Sequence, residues 1–200
     1  DGKLPTLPGF FDGLPVNQIT DILQRHFNSP LTSSAGRLFD AVSALAGGPF
    51  RVNYEAQAAI SLMHAAKSDE LELYPIEITP FGDKQLINVK SLIQNVYDNV
   101  MNGVGYSRIA GQFHRSLAEI ITRIVMSARA AFQLNKVILS GGVFQNEILL
   151  TLVENELQKQ GFTVYTPTKL PMNDGGIALG QAVICGHLIK NNLNAPNINL

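Results

Sequence analysis

Two adjacent glycines, Gly141 and Gly142, separate the apolar run Val137-Ile138-Leu139 from Asn146, a residue type that caps helices. Residues of these types at this spacing suit an anion. Glycines let a ligand approach the backbone, and the free amides and dipole of a following helix favour a phosphate or nucleotide. The same Gly-Gly pair serves equally as a tight turn that binds nothing. Other chemistry-bearing side chains are sparse. Arg37 and Asp40 share one helical face at a spacing typical of a solvated ion pair. Glu55 lies near the start of a second helical pattern, where a carboxylate gains from the helix dipole without any ligand. Asp174 precedes Gly175-Gly176 as a helix N-cap would.

The elements that must position these groups follow from periodicity. Residues 16–27 carry Val16, Ile19, Ile22, Leu23 and Phe27 at helical spacing and predict a packing helix that ends at Asn28-Ser29-Pro30. A serine-rich start at 32–34 leads into a helix with Leu38, Val42 and Leu45 on one face, and 54–62 predicts the next. Alternation over 71–78 and 85–89 around Pro80-Phe81-Gly82-Asp83 predicts a β-hairpin with a longer loop. Ser91 is placed to cap a helix reaching Met101, and Ser107 to open the longest one, with Ile109, Phe113, Leu117, Ile120, Ile121 and Ile124 recurring at three and four. A short buried strand over 137–139, the glycine turn, a helix over 147–160, a strand over 162–165 and a small-residue helix over 177–184 complete an α/β order.

With 46% hydrophobic residues in 200, the chain can bury a substantial core. Fifteen basic and sixteen acidic side chains leave a net charge of −1, so nothing in the charge balance points to nucleic acid or a membrane surface. Cys185 has no internal disulfide partner and, in an apolar helical run, is expected as a buried, inert thiol, which fits a reducing cytoplasm. No basic-then-apolar leader and no apolar stretch long enough to span a bilayer is found, again in line with a cytoplasmic protein. Residues 1–17 read as an irregular arm, 18–190 as the folded portion and 191–200 as a flexible tail.

Five segments together carry a resemblance: TSSAGRLFD (32–40), YEAQAA (54–59), FHRSLA (113–118), SGGVFQN (140–146) and NDGGIALGQA (173–182). In this order they resemble the C-terminal part of the kinase-like domain of the HypF carbamoyltransferases, maturation factors for NiFe-hydrogenases. The resemblance extends over 23–188. More distantly the chain is similar to antibiotic O-carbamoyltransferases and to enzymes that transfer threonylcarbamoyl to tRNA. It implies a partial actin/Hsp70/sugar-kinase-type ATPase fold, one lobe with a mixed sheet flanked by helices.

The chemistry implied by this resemblance uses carbamoyl phosphate and ATP through carbamoyl-adenylate, with transfer of the carbamoyl group to the C-terminal cysteine of the partner HypE. Carried over by motif, Gly141, Gly142 and Val143 lie against the nucleotide, Asn146 lies near the base, and Asp40 and Glu55 face the ribose and adenine region. Asp174 corresponds to a metal-ligating aspartate whose divalent cation neutralises phosphate. The family's histidine pair at i and i+4 has no counterpart among His26, His64, His114 and His187, so the metal site is incomplete. His114 matches a family position, yet a lone histidine in an apolar helix is ordinarily a packed, hydrogen-bonded residue. Ala56 stands where the family usually has glycine and Met172 where it usually has proline, with small backbone effects expected.

The leading expectation is thus a fragment of a longer carbamoyltransferase, inactive alone, that works with the remaining HypF domains and HypE and in isolation covers its apolar surface as a homodimer. Two alternatives share the motifs: an O-carbamoyltransferase acting on a small metabolite, and a non-catalytic nucleotide-binding or docking module.

Overall fold

A computed structural model describes residues 13–67, 72–82 and 84–191. Most of the arm and of the tail, together with Leu71 and Asp83 of the hairpin segment, lies outside the described residues. Among the described residues, seven α-helices and four strands follow in the order α1 (Val16–Gln24), α2 (Ala35–Leu45), α3 (Gln57–Ala65), β1 (Glu77–Phe81), β2 (Lys84–Asn88), α4 (Lys90–Met101), α5 (Tyr106–Phe132), β3 (Lys136–Ile138), α6 (Glu147–Lys159), β4 (Thr163–Tyr165) and α7 (Ile177–Lys190). The sheet is present in two pieces, an antiparallel β1–β2 hairpin and a parallel β3–β4 pair. Val137 pairs with Val164, and the segment through α6 makes a β-α-β unit.

The core is built on α5. From Ile109 to Thr122 its buried residues occur on every side, among them Phe113, His114, Ser116, Leu117 and Ile120. Phe39 and Val42 of α2, Leu62 of α3, Leu92 and Val96 of α4, and Leu149, Val153 and Leu157 of α6 close around it. A helix apolar over so much of its circumference is stable only when surrounded. The polar groups drawn into this core are all bonded: Tyr74 O–H and Asn99 Nδ2 meet Gln112 Oε1 at 3.2 and 3.0 Å, and Thr122 donates to the Ala118 carbonyl.

Local expectations hold for α2, whose cap Ser34 accepts from Arg37 N–H, and for α6, whose cap Asn146 accepts from Leu149 N–H at 3.0 Å. Other details differ. Phe81 pairs with Lys84, so two residues join the hairpin strands and the longer loop is absent. Ser91 does not cap α4; its hydroxyl donates to the Pro75 carbonyl, and Asn88 Oδ1 receives Lys90 N–H instead. Ser107 sits inside the first turn of α5, which Gly105 precedes as cap. The helix α1 stops at Gln24 and buries none of its residues, so it is not a packing helix within the described chain. The same is true of α7, apolar nearly all round with no residue buried, and Cys185 on it is exposed, contrary to the buried thiol expected. Periodicity reported an apolar face for α1 and composition an apolar, small-residue helix for α7, but the described residues provide no surface to cover either. Ile138, expected inside the strand core, is 73% exposed for this reason.

Glu55 precedes α3, because the helix opens two residues later, after Ala56 in the left-handed region at φ 60° and ψ 11°. For an L-residue that conformation costs roughly 1–2 kcal/mol, of which glycine's larger unfolded-state entropy would return about 0.5–1 kcal/mol. The glycine usual at this position in the resembling family therefore has a backbone reason. Ala56→Gly is expected to raise stability by about 0.5–1 kcal/mol in urea unfolding; a loss of stability would show that Ala56 does not occupy this conformation.

Candidate functional site

Three hollows adjoin along one side of the lobe. The first, of about 380 Å³, is apolar and is lined by Gly36, Phe39, Ala56, Ala59, Ile60 and Met63 of α2, α3 and the residue before α3, and by Gly142, Val143, Gln145 and Asn146 of the turn before α6. The second, of about 320 Å³, shares Gly36, Ala56 and Ala59 with it and holds Asp40 and Glu55. The third, of about 350 Å³, runs from Ser140 and Gly141 to Asn173, Asp174 and Gly176. The glycine pair thus forms the ridge between an apolar slot and a depression of mixed lining, where Asp174 and Asn173 lie among Leu170, Pro171, Met172 and Ile177.

Local physics explains the ridge. After β3 the chain reaches Gly141 at φ 106° and ψ 154°, a conformation accessible in practice only to glycine. Gly141 N–H donates to the Met172 carbonyl at 2.8 Å, which ties the turn to the Asp174 loop. A 3-10 turn, Gly142–Gln145, then precedes α6, so the strand does not pass directly from the glycines into the helix. A Cβ on Gly142 would come no closer than 3.9 Å to Asn173, and one on Gly176 would meet the Pro171 carbonyl at 2.9 Å. The loop around Asp174 is therefore packed tightly against itself.

Of the residues selected from sequence, Gly142, Val143 and Asn146 line the apolar slot, Gly141 and Asp174 share the depression of mixed lining, and Asp40 and Glu55 share the hollow beyond the common wall. Asp40 lies 3.8 Å from Arg37, a half-exposed pair of the kind that contributes little. Asp174 starts the short 3-10 turn Asp174–Gly176, whose cap is Asn173; Asn173 Oδ1 accepts from Gly175 N–H, so Asp174 is not itself the capping residue. Among the described residues no group of three His, Cys, Asp or Glu side chains converges. One carboxylate does not by itself hold a divalent cation; phosphate oxygens and water would have to complete the shell.

Sequence reasoning assigned His114 to packing and missed its tie to the site. Its ring is fully buried against Phe39 and Phe113, at centroid distances of 5.2 and 5.9 Å. Nδ1 lies 2.7 Å from the Ala110 carbonyl, which can only accept, so Nδ1 carries the proton. Nε2 is then the acceptor for Asn146 Nδ2 at 2.8 Å. The one legible signal was the polar residue itself in an apolar stretch of α5, facing a motif 32 residues away.

Residues 12–181 match the family described as "Carbamoyltransferase, Kae1-like Domain, second subdomain", and the chain belongs to that family. The α/β lobe is that of this class. Its relatives are HypF proteins. The chain is 33% identical over 183 residues to the carbamoyltransferase HypF of Rhodobacter capsulatus, covering 91% of itself and 23% of that relative. It is 30% identical over 182 residues to the probable carbamoyltransferase HypF of Methanocaldococcus jannaschii, with the same coverage of 91% and 23%. A crystal structure of full-length HypF in a phosphate- and nucleotide-bound form superposes with a TM-score of 0.85 at 36% identity, over 89% of this chain and 23% of that one. The HypF of T. kodakarensis superposes with a TM-score of 0.75 at 26% identity, over 90% and 23%. This chain therefore spans about a quarter of the length of these relatives. No helix among the described residues is long and apolar enough to cross a membrane.

Burial pushes the His114 imidazole below its ordinary value of 6.5, against the opposing effect of the hydrogen bond to Ala110. Because the folded value is the lower one, the unfolded chain binds the extra proton first as pH falls. The stability contributed by neutral His114 is complete above 6.5 and is lost on acidification from there toward the folded value. Thermal unfolding should show a fall in midpoint below pH 6.5 that is reduced in His114→Gln. Identical pH dependence in the two chains would show that His114 is not held neutral.

Proposed function

We propose that this chain supplies one wall of the nucleotide cleft of a HypF-type carbamoyltransferase, as part of a longer polypeptide. The observation that carries the reading is the apolar slot ending on Gly142 and Asn146, which the Gly141 ridge joins to the depression holding Asp174. A planar base suits the slot lined by α2, α3 and the turn before α6, and hydroxyl donors of a ribose suit the carboxylates of Asp40 and Glu55 beyond its wall. Phosphate groups suit the ridge, where backbone can be approached closely. The phosphate- and nucleotide-bound state of a similar HypF supports this reading.

In the proposed reaction, carbamoyl-adenylate made from carbamoyl phosphate and ATP occupies the cleft. The thiolate of the C-terminal cysteine of HypE attacks the carbamoyl carbon. A C–S bond forms, the C–O bond to the adenylate phosphate breaks, and AMP leaves with the electron pair. Asp174 would supply one ligand to a divalent cation, whose charge would offset that of the phosphates. A cytoplasmic setting fits this partner and substrate. The rest of the polypeptide is proposed to pack on the uncovered apolar surface of α7 and on the β3–β4 face that exposes Ile138 and Tyr165. The same surface would drive the isolated chain to pair with itself, and alone it would be inactive, since one wall cannot exclude water from a labile adenylate.

Calorimetric titration with ATP and Mg²⁺ tests the cleft. Saturable binding is expected, weakened about tenfold or more by Ala59→Phe, which fills the slot without removing a polar contact, and less by Glu55→Ala. Binding indifferent to Ala59→Phe would place the nucleotide elsewhere. In the full-length enzyme, Asp174→Ala is expected to reduce carbamoyl transfer while adenylate formation persists. Equal loss of both steps would remove Asp174 from its assigned role.

A further inference from the structure

We propose that His114 is a specificity-determining positioning residue, which fixes the Asn146 amide in the orientation that accepts adenine and disfavours guanine. The inference rests on the nucleotide reading of the slot and goes beyond it by naming what selects the base.

The argument begins with a buried ring that packing alone does not require. An aliphatic side chain would fill the space beside Phe39 and Phe113; imidazole adds a donor on one side and an acceptor on the other. The donor is used by the Ala110 carbonyl, four residues earlier on the same helix. The acceptor is used by Asn146, on the turn that lines the slot. Asn146 is held a second time, because its Oδ1 accepts from Leu149 N–H at 3.0 Å. A backbone N–H can only donate, so the oxygen must face the cap and the nitrogen must face His114.

Each end of the amide retains one unused function. Oδ1 keeps a lone pair and Nδ2 keeps a proton. Adenine presents an exocyclic amine beside a ring nitrogen acceptor, and a side-chain amide reads this pair with its oxygen on the amine and its nitrogen on the ring. On its Watson–Crick edge guanine carries a carbonyl in place of the amine and a ring N–H in place of the ring acceptor, so in that base pose the amide would have to reverse. Reversal sets the NH₂ against Leu149 N–H and Oδ1 against the Nε2 lone pair, two repulsive contacts in place of two hydrogen bonds. Without the His114 acceptor only the cap resists reversal.

The test compares ATP with GTP by calorimetry on this chain and on H114L and H114Q. Gln reaches the position of Nε2 with a carbonyl oxygen and keeps the acceptor, whereas Leu fills the space without one. The wild-type chain is expected to prefer ATP, H114L to lose about tenfold of that preference, the worth of one hydrogen bond, and H114Q to recover it. A loss of packing alone would weaken both nucleotides together and would not be rescued in the ratio. An unchanged ratio in a folded H114L, or equal ATP and GTP affinity in the wild type, overturns the inference alone. Failure of the wild type to bind either nucleotide overturns the nucleotide reading and this inference with it. Should H114L not fold, the ¹⁵N spectrum of the wild-type chain decides: a neutral Nδ1–H tautomer with Nε2 hydrogen-bonded supports the lock, and an Nε2–H tautomer overturns it.

Discussion

Everything in this lobe depends on the burial of the N-terminal half of α5. Between Ile109 and Thr122 the helix is enclosed by α2, α3, α4 and α6, and no other described segment carries so many fully buried residues. Apolar area removed from water contributes on the order of 25 cal/mol per Å², so the large side chains Phe39, Phe113, Leu62, Leu92, Leu149 and Leu157 dominate the stabilisation. The polar groups inside are bonded within helices or to neighbouring loops, as burial demands. At its far end the Arg129 guanidinium lies 4.1 Å from the Phe162 ring centroid and holds the approach to β4.

The same enclosure makes the site. Because α2 and α3 pack on α5 on one side and the Gly142–Gln145 turn packs beside them, their gap opens as an apolar slot. Asn146 belongs to both tasks. It starts α6 by capping and reaches the buried ring of His114, so the geometry of the pocket is inherited from the core with no mobile intermediary. Gly141 contributes differently: its backbone conformation directs the chain over the ridge, and its N–H secures the Asp174 loop.

The outer side of the lobe is built to another specification. A two-stranded parallel sheet covered on only one face is unusual, since parallel strands are ordinarily buried on both. Ile138 and Tyr165, paired in register, are exposed here, and α7 presents Val183, Ile184 and Ile189 without a partner among the described residues. Relatives about four times as long have ample chain to occupy such a surface.

The sequence by itself determined the elements whose causes are local: the apolar periods of α2, α5 and α6, the serine-rich start of α2, the cap Asn146, a strand read over 162–165 and found over 163–165, and the glycine turn. It also carried the family through five short motifs. Only the tertiary structure decided that Asp40 and Glu55 lie behind the wall of the apolar slot, that Ile138 and Cys185 face outward, and that His114 meets Asn146. The exposure of Ile138 and Cys185 follows from the lack of a covering surface among the described residues, whereas the placing of Asp40, Glu55 and His114 turns on how α5 is rotated about its axis and how α3 and α6 cross it. Ridge-into-groove packing sets those angles, and residues distant in sequence meet or miss accordingly.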